Sequence, residues 1–388
     1  MNGKDLGGRQ LCIRVVAGML SAVMGLLLSG CAQKEPIRVG FVAELTGRQA
    51  DLGVQERDAV QLAVEKINAA GGVAGRSIEL IVRDDRGTPG GAQAADRELI
   101  AARVVATIGH ATSGQTIAAL PVTDTAGMVL VSPTSSTPKL SGLKDRFFRV
   151  CADIAGAARA LAQHVYQRRR VTRLAVLYDT DNAPYTESYW TAFAVQYRTE
   201  GGDVVGKAAF SSAEQPDFAP LIAGLQKTSA EGFLLIASPL DTALIAQRAR
   251  LSGWHVPLFT TGWAYTEALI RNGGKAIEGT EIELAYDMSS QSPAFLDFRR
   301  GYQVRFGHEP TFAAALGYEA LLILAAALEQ TGGRAEGLPE ALVKTKDLMG
   351  LIGTLSLDEY GDIVRASYLG AVRGGRFVTL GVLTPSSP

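Results

Sequence analysis

Short apolar runs alternate with longer stretches in which apolar residues recur every three to four positions, from Ile37 to the last third of the chain. Ile37–Val42 reads as a buried strand. Ala59, Leu62, Ala63 and Ile67 then recur at helical spacing, with Asp58, Gln61 and Glu65 on the other face. Gly71-Gly72 ends that helix, as glycine does where a left-handed cap is needed. Strands follow over Ile78–Val82, Val104–Ile108 and Met128–Val131, separated by helices over Ala92–Ala102 and Ile117–Thr125. After Arg149 the rhythm restarts. Helices over Ala155–Tyr166, Tyr189–Thr199, Phe218–Gln226 and Thr242–Leu251 alternate with strands over Leu174–Tyr178, Val204–Phe210, Gly232–Ile236 and Leu258–Thr260. Three more helical patterns occupy Phe295–Phe306, Ala313–Leu328 and Leu338–Thr345. The tail, Ser367–Val372 and Arg376–Leu380, predicts a hairpin around Gly374-Gly375.

Strands alternating with helices predict a parallel sheet covered on both faces. Two such series predict an α/β protein of two doubly wound lobes. The length of 388 residues also exceeds what one hydrophobic core usually serves. No Pro- or Ser-rich linker divides the chain, so the lobes are expected to be joined by short hinges.

The first stretch stands apart. Lys4, Arg9 and Arg14 precede an uncharged run, Val15–Leu28, shorter than the roughly 20 residues a spanning helix needs. It reads as the apolar region of a secretory signal. The run ends in Leu28-Ser29-Gly30-Cys31, which resembles a bacterial lipobox. That resemblance implies cleavage of residues 1–30, acylation of Cys31 and a tether over 31–36. An ordinary export signal with a chance cysteine, or a short retained anchor, remains the alternative. Ala32 is not the aspartate that retains many lipoproteins at the inner membrane, which leaves outer-membrane sorting open.

Cys12 lies in the signal and Cys31 at its end, so Cys151 alone remains in the body and no disulfide is expected there. His110, His164, His255 and His308 lack ligand spacing, and no metal or other cofactor is expected. The formal net charge of -1 gives no electrostatic case for nucleic acid. The basic run Arg168-Arg169-Arg170 reads as a solvated helix end. Nucleophile elbow, P-loop lysine and dinucleotide glycine fingerprint are all missing, so no enzyme activity is expected.

Ligands of open parallel sheets bind beyond the carboxyl ends of the strands. After Ile108 a helix starts near Gly114, and its first N–H groups lack intrahelical partners. With Ser113 they would seat an anion; equally, Ser113 caps its own helix. After Val131 comes the hydroxyl-rich turn Ser132-Pro133-Thr134-Ser135-Ser136-Thr137-Pro138. Tyr185 follows the acidic turn Asp179–Asp181, either reaching over a cleft or packing on its own lobe. Ser238 follows Ile236, and Trp263 follows Thr260, as an aromatic ligand wall or as core.

Several segments together resemble a known family over nearly the whole mature length. They are "IRVGFVAELTG" (37–47), "AVEKINAAGGVAGRSIELIVR" (63–83) with Asp84-Asp85, Ile108–His110, Val131–Pro133, "RFFR" (146–149) and "LDEYGD" (357–362). The chain resembles type I periplasmic ligand-binding proteins, of the branched-chain amino acid branch of ABC-transporter receptors. The resemblance implies two lobes joined by a multi-strand hinge, lobe 1 over 37–150 plus 285–352 and lobe 2 over 151–284 plus 353–383. It implies that Ser113, the Thr134 backbone and Ser136 hold the ligand's carboxylate and ammonium from one lobe, and that Tyr185 covers it from the other. Ser238 and Trp263 also fall at ligand positions, but both depart from the family pattern: Ser238 replaces an aromatic residue and Trp263 the acid that faces the ammonium. Either Asp241 or Glu44 substitutes, or the ligand is not a standard α-amino acid.

The expectation is a monomeric, lipid-anchored solute receptor of the cell envelope. It would bind an amino acid or an aromatic or aliphatic acid and present it to an ABC-transporter permease. The alternative is an envelope lipoprotein that uses the same fold as a sensor or regulatory module.

Overall fold

The computed structural model describes residues 34–47 and 49–383. The stretch read as an export signal, and Cys31, lie outside the described residues.

The first sheet is assembled from β1 (Ile37–Ala43), α1 (Asp51–Ala69), β2 (Ile78–Asp84), α2 (Pro89–Ala101), β3 (Ala106–Gly109), α3 (Ser113–Ala126), β4 (Val129–Ser132) and β5 (Phe147–Arg149). Its strand order is β2-β1-β3-β4-β5, with every neighbouring pair parallel. The second is assembled from α4 (Ile154–Gln163), β6 (Arg173–Asp179), α5 (Ala183–Thr199), β7 (Asp203–Phe210), α6 (Phe218–Gln226), β8 (Gly232–Ile236), α7 (Pro239–Leu251), β9 (Leu258–Thr260), α8 (Glu267–Gly273) and β10 (Glu281–Leu284). The chain continues through α9 (Pro293–Phe306), α10 (Phe312–Thr331), α11 (Leu338–Lys344), the short β11 (Leu348–Met349) and β12 (Thr354–Leu355), and the hairpin β13 (Ser367–Arg373) and β14 (Arg376–Leu383). That hairpin adds antiparallel to β10, giving the order β14-β13-β10-β9-β8-β6-β7.

Each sheet is wrapped by helices, which makes two doubly wound lobes. Their buried strands are the continuous apolar runs. All five residues of β8 are buried, as expected of a strand covered on both faces. Gly72 is required where α1 turns into β2: its φ is +78°, and a Cβ there would lie 1.9 Å from the Arg76 carbonyl oxygen.

The chain passes between the sheets three times: after β5, after β10 and before β13. Between the second and third passages, α10 packs along α1 and against β3 and β4 of the first sheet. By length and composition α10 could cross a membrane, but it is a core helix, with most of its residues buried.

Three elements differ from the sequence reading. The helix read from Ala59 starts at Asp51. The helix read over Ala155–Tyr166 ends as an α-helix at Gln163 and continues as a π-helical turn over His164–Arg168, leaving the arginine run exposed. The strand Glu281–Leu284 was not anticipated, because its two glutamates mask a fully buried strand.

His110 is not the isolated residue its spacing suggested. It is fully buried, with Nδ1 2.7 Å from Asp85 Oδ2 and Nε2 3.3 Å from Asp96 Oδ2. Burial alone lowers the imidazole pKa, but hydrogen bonds to Asp85 and Asp96 outweigh it and raise it to about 9. A raised histidine pKa stabilises the fold below the unfolded value of about 6.5, and the contribution disappears as pH rises through 9. Melting curves of the wild type are therefore expected to shift down between pH 7 and 10, and this shift is expected to shrink in His110→Gln.

Candidate functional site

The carboxyl ends of both sheets face one cavity, with about 690 Å3 of atom-free space, part of it open to solvent. All three inter-sheet passages reach it, through Cys151–Ile154, Ala285 and Arg365–Ser367. Hydrogen bonds bridge the lobes at its rim. Gln49 Nε2 donates to Asp179 Oδ2 at 3.2 Å, Gly114 N to Asn182 Oδ1 at 3.1 Å, and Thr137 Oγ1 lies 3.2 Å from Ser188 Oγ. The lobes are closed.

Five of the six residues predicted to touch a ligand line this cavity: Ser113, Thr134, Ser136, Tyr185 and Trp263. Ser113 opens α3, while Thr112 occupies the cap position. Ser113 Oγ accepts the Thr137 N–H at 3.2 Å, so its own proton is available to a ligand oxygen. One first-turn amide, Gly114 N–H, is taken by Asn182 from the other lobe.

Not every hydroxyl of the Ser132–Thr137 turn serves a ligand. Ser132 and Ser135 both donate to the His110 carbonyl and so hold the turn against β3. Thr134 Oγ1 lies 2.6 Å from both Glu56 Oε1 and the Ala111 carbonyl oxygen. A hydroxyl has one proton, and a carbonyl can only accept. Thr134 therefore donates to Ala111 and accepts from Glu56, which must be protonated. Burial, which pushes the Glu56 pKa up to about 8, agrees with that assignment. Thr134 thus has only its backbone left for a ligand.

The opposite wall is aromatic. The Tyr185 and Trp263 rings meet edge to face at 5.7 Å, and both are buried. Burial and the nearby Glu283 charge raise the Tyr185 pKa, so its phenol stays protonated. Cys151 also lines the cavity, and burial raises its thiol pKa to about 12, leaving an unreactive side chain.

Ser238 is placed elsewhere. It caps α7, accepting the Asp241 N–H and donating to Asp241 Oδ2, and is not part of the cavity wall. The two proposed substitute acids are also absent from that wall. Asp241 is engaged by Ser212 and Ser238, and Glu44 accepts the Gln49 N–H.

Two carboxylates lie in the wall: Asp153, which caps α4 by accepting the Ala155 N–H, and Glu283, from the unanticipated strand β10. Glu283 is 1% exposed, and Oε2 accepts the Gly262 N–H at 3.3 Å while Oε1 has no partner. Burial raises its pKa to about 7, against the smaller lowering effect of Gly262. A buried, half-satisfied carboxylate is costly unless a cation meets it. The sequence signal was two glutamates in a strand next to an otherwise apolar sheet centre, an anomaly that asks for a partner.

Two closed lobes around a largely apolar cavity with a few convergent polar groups define a small-molecule receptor. The chain belongs to the periplasmic binding protein family, whose model matches residues 36–376. It falls among the type I members, in the branch that contains the Leu/Ile/Val-binding proteins. A Leu/Ile/Val-binding protein homolog of Brucella melitensis is 26% identical over 338 residues, covering 86% of this chain and 90% of that protein. A leucine-binding protein of Thermotoga maritima superposes with a TM-score of 0.84 at 26% identity, covering 90% of this chain and 99% of that one. A solute-binding protein of R. palustris in complex with benzoate shares the fold at a TM-score of 0.81 and 20% identity, covering 91% and 97%. The chain is a binding protein, not an enzyme.

Proposed function

We propose that this chain is the solute receptor of an ABC transporter and that its ligand is a small α-amino acid. The observation that carries the ligand class is the unpartnered Oε1 of Glu283 in the cavity wall. The ligand carboxylate sits against the Ser113 hydroxyl, the Thr134 backbone and Ser136, and its ammonium faces Glu283. Tyr185 and Trp263 close over it. An aromatic acid, as in the benzoate-bound neighbour, would satisfy the first set and leave Glu283 unpaired.

In this reading the lobes comprise 37–150 plus 285–364 and 151–284 plus 365–383; the boundary expected at 352/353 moves because β11 pairs with β12 and Asp362 is bound by Arg149 of the first sheet. The closed form is what a permease recognises. The protein is a monomer held at the membrane by lipid on Cys31, in the envelope. A micromolar dissociation constant requires about −8 kcal/mol. Charge-assisted hydrogen bonds of roughly 1.5–3 kcal/mol each, with the aromatic wall, suffice after ordering costs.

The test is a thermal-shift panel of amino acids, aromatic acids and short dicarboxylates on soluble protein starting at Ala32. A true ligand at about 100 times its dissociation constant adds ~2.7 kcal/mol of stability. Ser113→Ala is expected to weaken that ligand about 10- to 100-fold. A response to benzoate and none to amino acids overturns the ligand class. No response to any small molecule favours use of the fold as a regulatory module.

A further inference from the structure

The cationic residue of the cavity wall is not used by the proposed pose. Arg365 lies on the third inter-sheet passage. The β10–β13 register pairs Leu284 with Tyr368, which brings Arg365 to the hinge side, just past the end of β10. Its Nη2 donates to Glu319 Oε2 at 2.6 Å, and Glu319 Oε1 accepts the Leu351 N–H at 2.7 Å. Glu319 is fully buried on α10, on the helix face that also carries Phe312 and Leu316 into the cavity wall. Arg365 is therefore matched charge for charge by its own protein. Its Nε–H is buried and has no partner.

A neutralised ion pair with a buried, unpartnered donor has a specific chemical demand. A second ligand carboxylate would bring a negative charge that the Glu319 pair has already cancelled. A purely hydrocarbon side chain would leave the N–H buried and unpaired, which is costly. A neutral acceptor meets the demand. Phe312 and Leu316 beside it favour a short side chain with some hydrocarbon.

We infer that Arg365 is a specificity-determining residue, and that the amino acid held here carries a neutral hydrogen-bond acceptor, a carboxamide or a hydroxyl, in a short side chain. This inference rests on the amino-acid reading above. It separates the chain from a receptor for branched hydrocarbon side chains, because shape alone does not distinguish asparagine from leucine or threonine from valine.

Those near-isosteric pairs supply the experiment. Titration calorimetry on the wild-type protein compares L-asparagine with L-leucine and L-threonine with L-valine. In at least one pair, the acceptor-bearing member is expected to bind about 10-fold tighter or more. Leucine and valine binding as tightly as, or more tightly than, both counterparts would overturn the inference while leaving the amino-acid reading intact. Benzoate binding with no amino acid binding would instead sink that reading itself. Arg365→Lys retains a cation for Glu319 and removes the guanidinium Nε–H. It is expected to bring the pair ratio close to one, through lost affinity for the acceptor-bearing member. Equal weakening of both members would show a structural role only and defeat the assignment. If the variant does not fold, the wild-type ratios decide alone.

Discussion

Glu283→Gln is expected to weaken amino-acid binding by at least about 100-fold, because it strands the ligand's ammonium in a dry wall. Removing one partner of a buried ion pair costs roughly 3–5 kcal/mol, and 1.4 kcal/mol is a factor of ten. Glutamine keeps the shape and still accepts from Gly262 N–H, so the loss reports charge rather than packing. Without ligand, the same substitution is expected to stabilise the protein at pH 8. Glu283 has a folded pKa of about 7 against an ordinary 4.5, so the folded state holds its proton longer than the unfolded state. Stability attributable to this group therefore falls as pH rises from 4.5 to 7, by ~3 kcal/mol at most. Glutamine has no such liability. Binding has the opposite pH dependence, since an ammonium needs the carboxylate. Affinity is expected to rise toward pH 7, level off above it, and fall about tenfold per unit below. Calorimetry between pH 5 and 8 on both proteins is the check. An affinity that is flat with pH and intact in the glutamine variant leaves Glu283 without a role in binding.

The place of Glu283 also shows what the sequence could and could not disclose. Parallel strands such as β8, Gly232–Ile236, announce themselves as unbroken apolar runs, and the helices between them by their spacing. Ser113, Thr134 and Ser136 were legible because they follow strands whose ends must share one side of the sheet. Trp263 was legible as a departure from the family pattern. The acid proposed to compensate for it, Glu283, was not, because β10 neighbours β9 in the sheet but is separated from it in the chain by α8. Ser238 misled for the complementary reason. It does follow a strand, but its side chain caps the next helix, a use of serine that local sequence cannot distinguish from ligand binding. Arg365 was hidden by topology: it is a hinge residue until the third passage is seen to form the cavity's floor.

Arg149→Met is expected to lower stability by roughly 3–5 kcal/mol and to disrupt the site it supports. Arg149 is 1% exposed at the end of β5. Its Nε donates to Asp362 Oδ1 at 2.7 Å, Nη1 to the Ser135 and Thr137 carbonyls at 3.3 and 3.0 Å, and Nη2 to Ser141 Oγ at 2.6 Å. Asp362 Oδ2 in turn accepts the Gly142 N–H at 2.8 Å. One guanidinium thus fastens the turn that carries Ser136 to the segment that leads toward Arg365. Methionine fills similar volume but abandons a carboxylate and two carbonyls, so the melting temperature should fall by about 6–10 °C. Lysine is expected to rescue little, since a single ammonium cannot reach in three directions as a planar fork does. The informative variant is the double one, Arg149→Met with Asp362→Leu. Removing both charges ends the penalty of the unpaired acid, so it should melt above the single mutant. Binding should remain weak in the double mutant, because the Ser135 and Thr137 carbonyls stay unfastened and Ser136 loses its fixed position. A single mutant that melts within ~2 °C of wild type and binds normally would show that the turn holds its shape without Arg149.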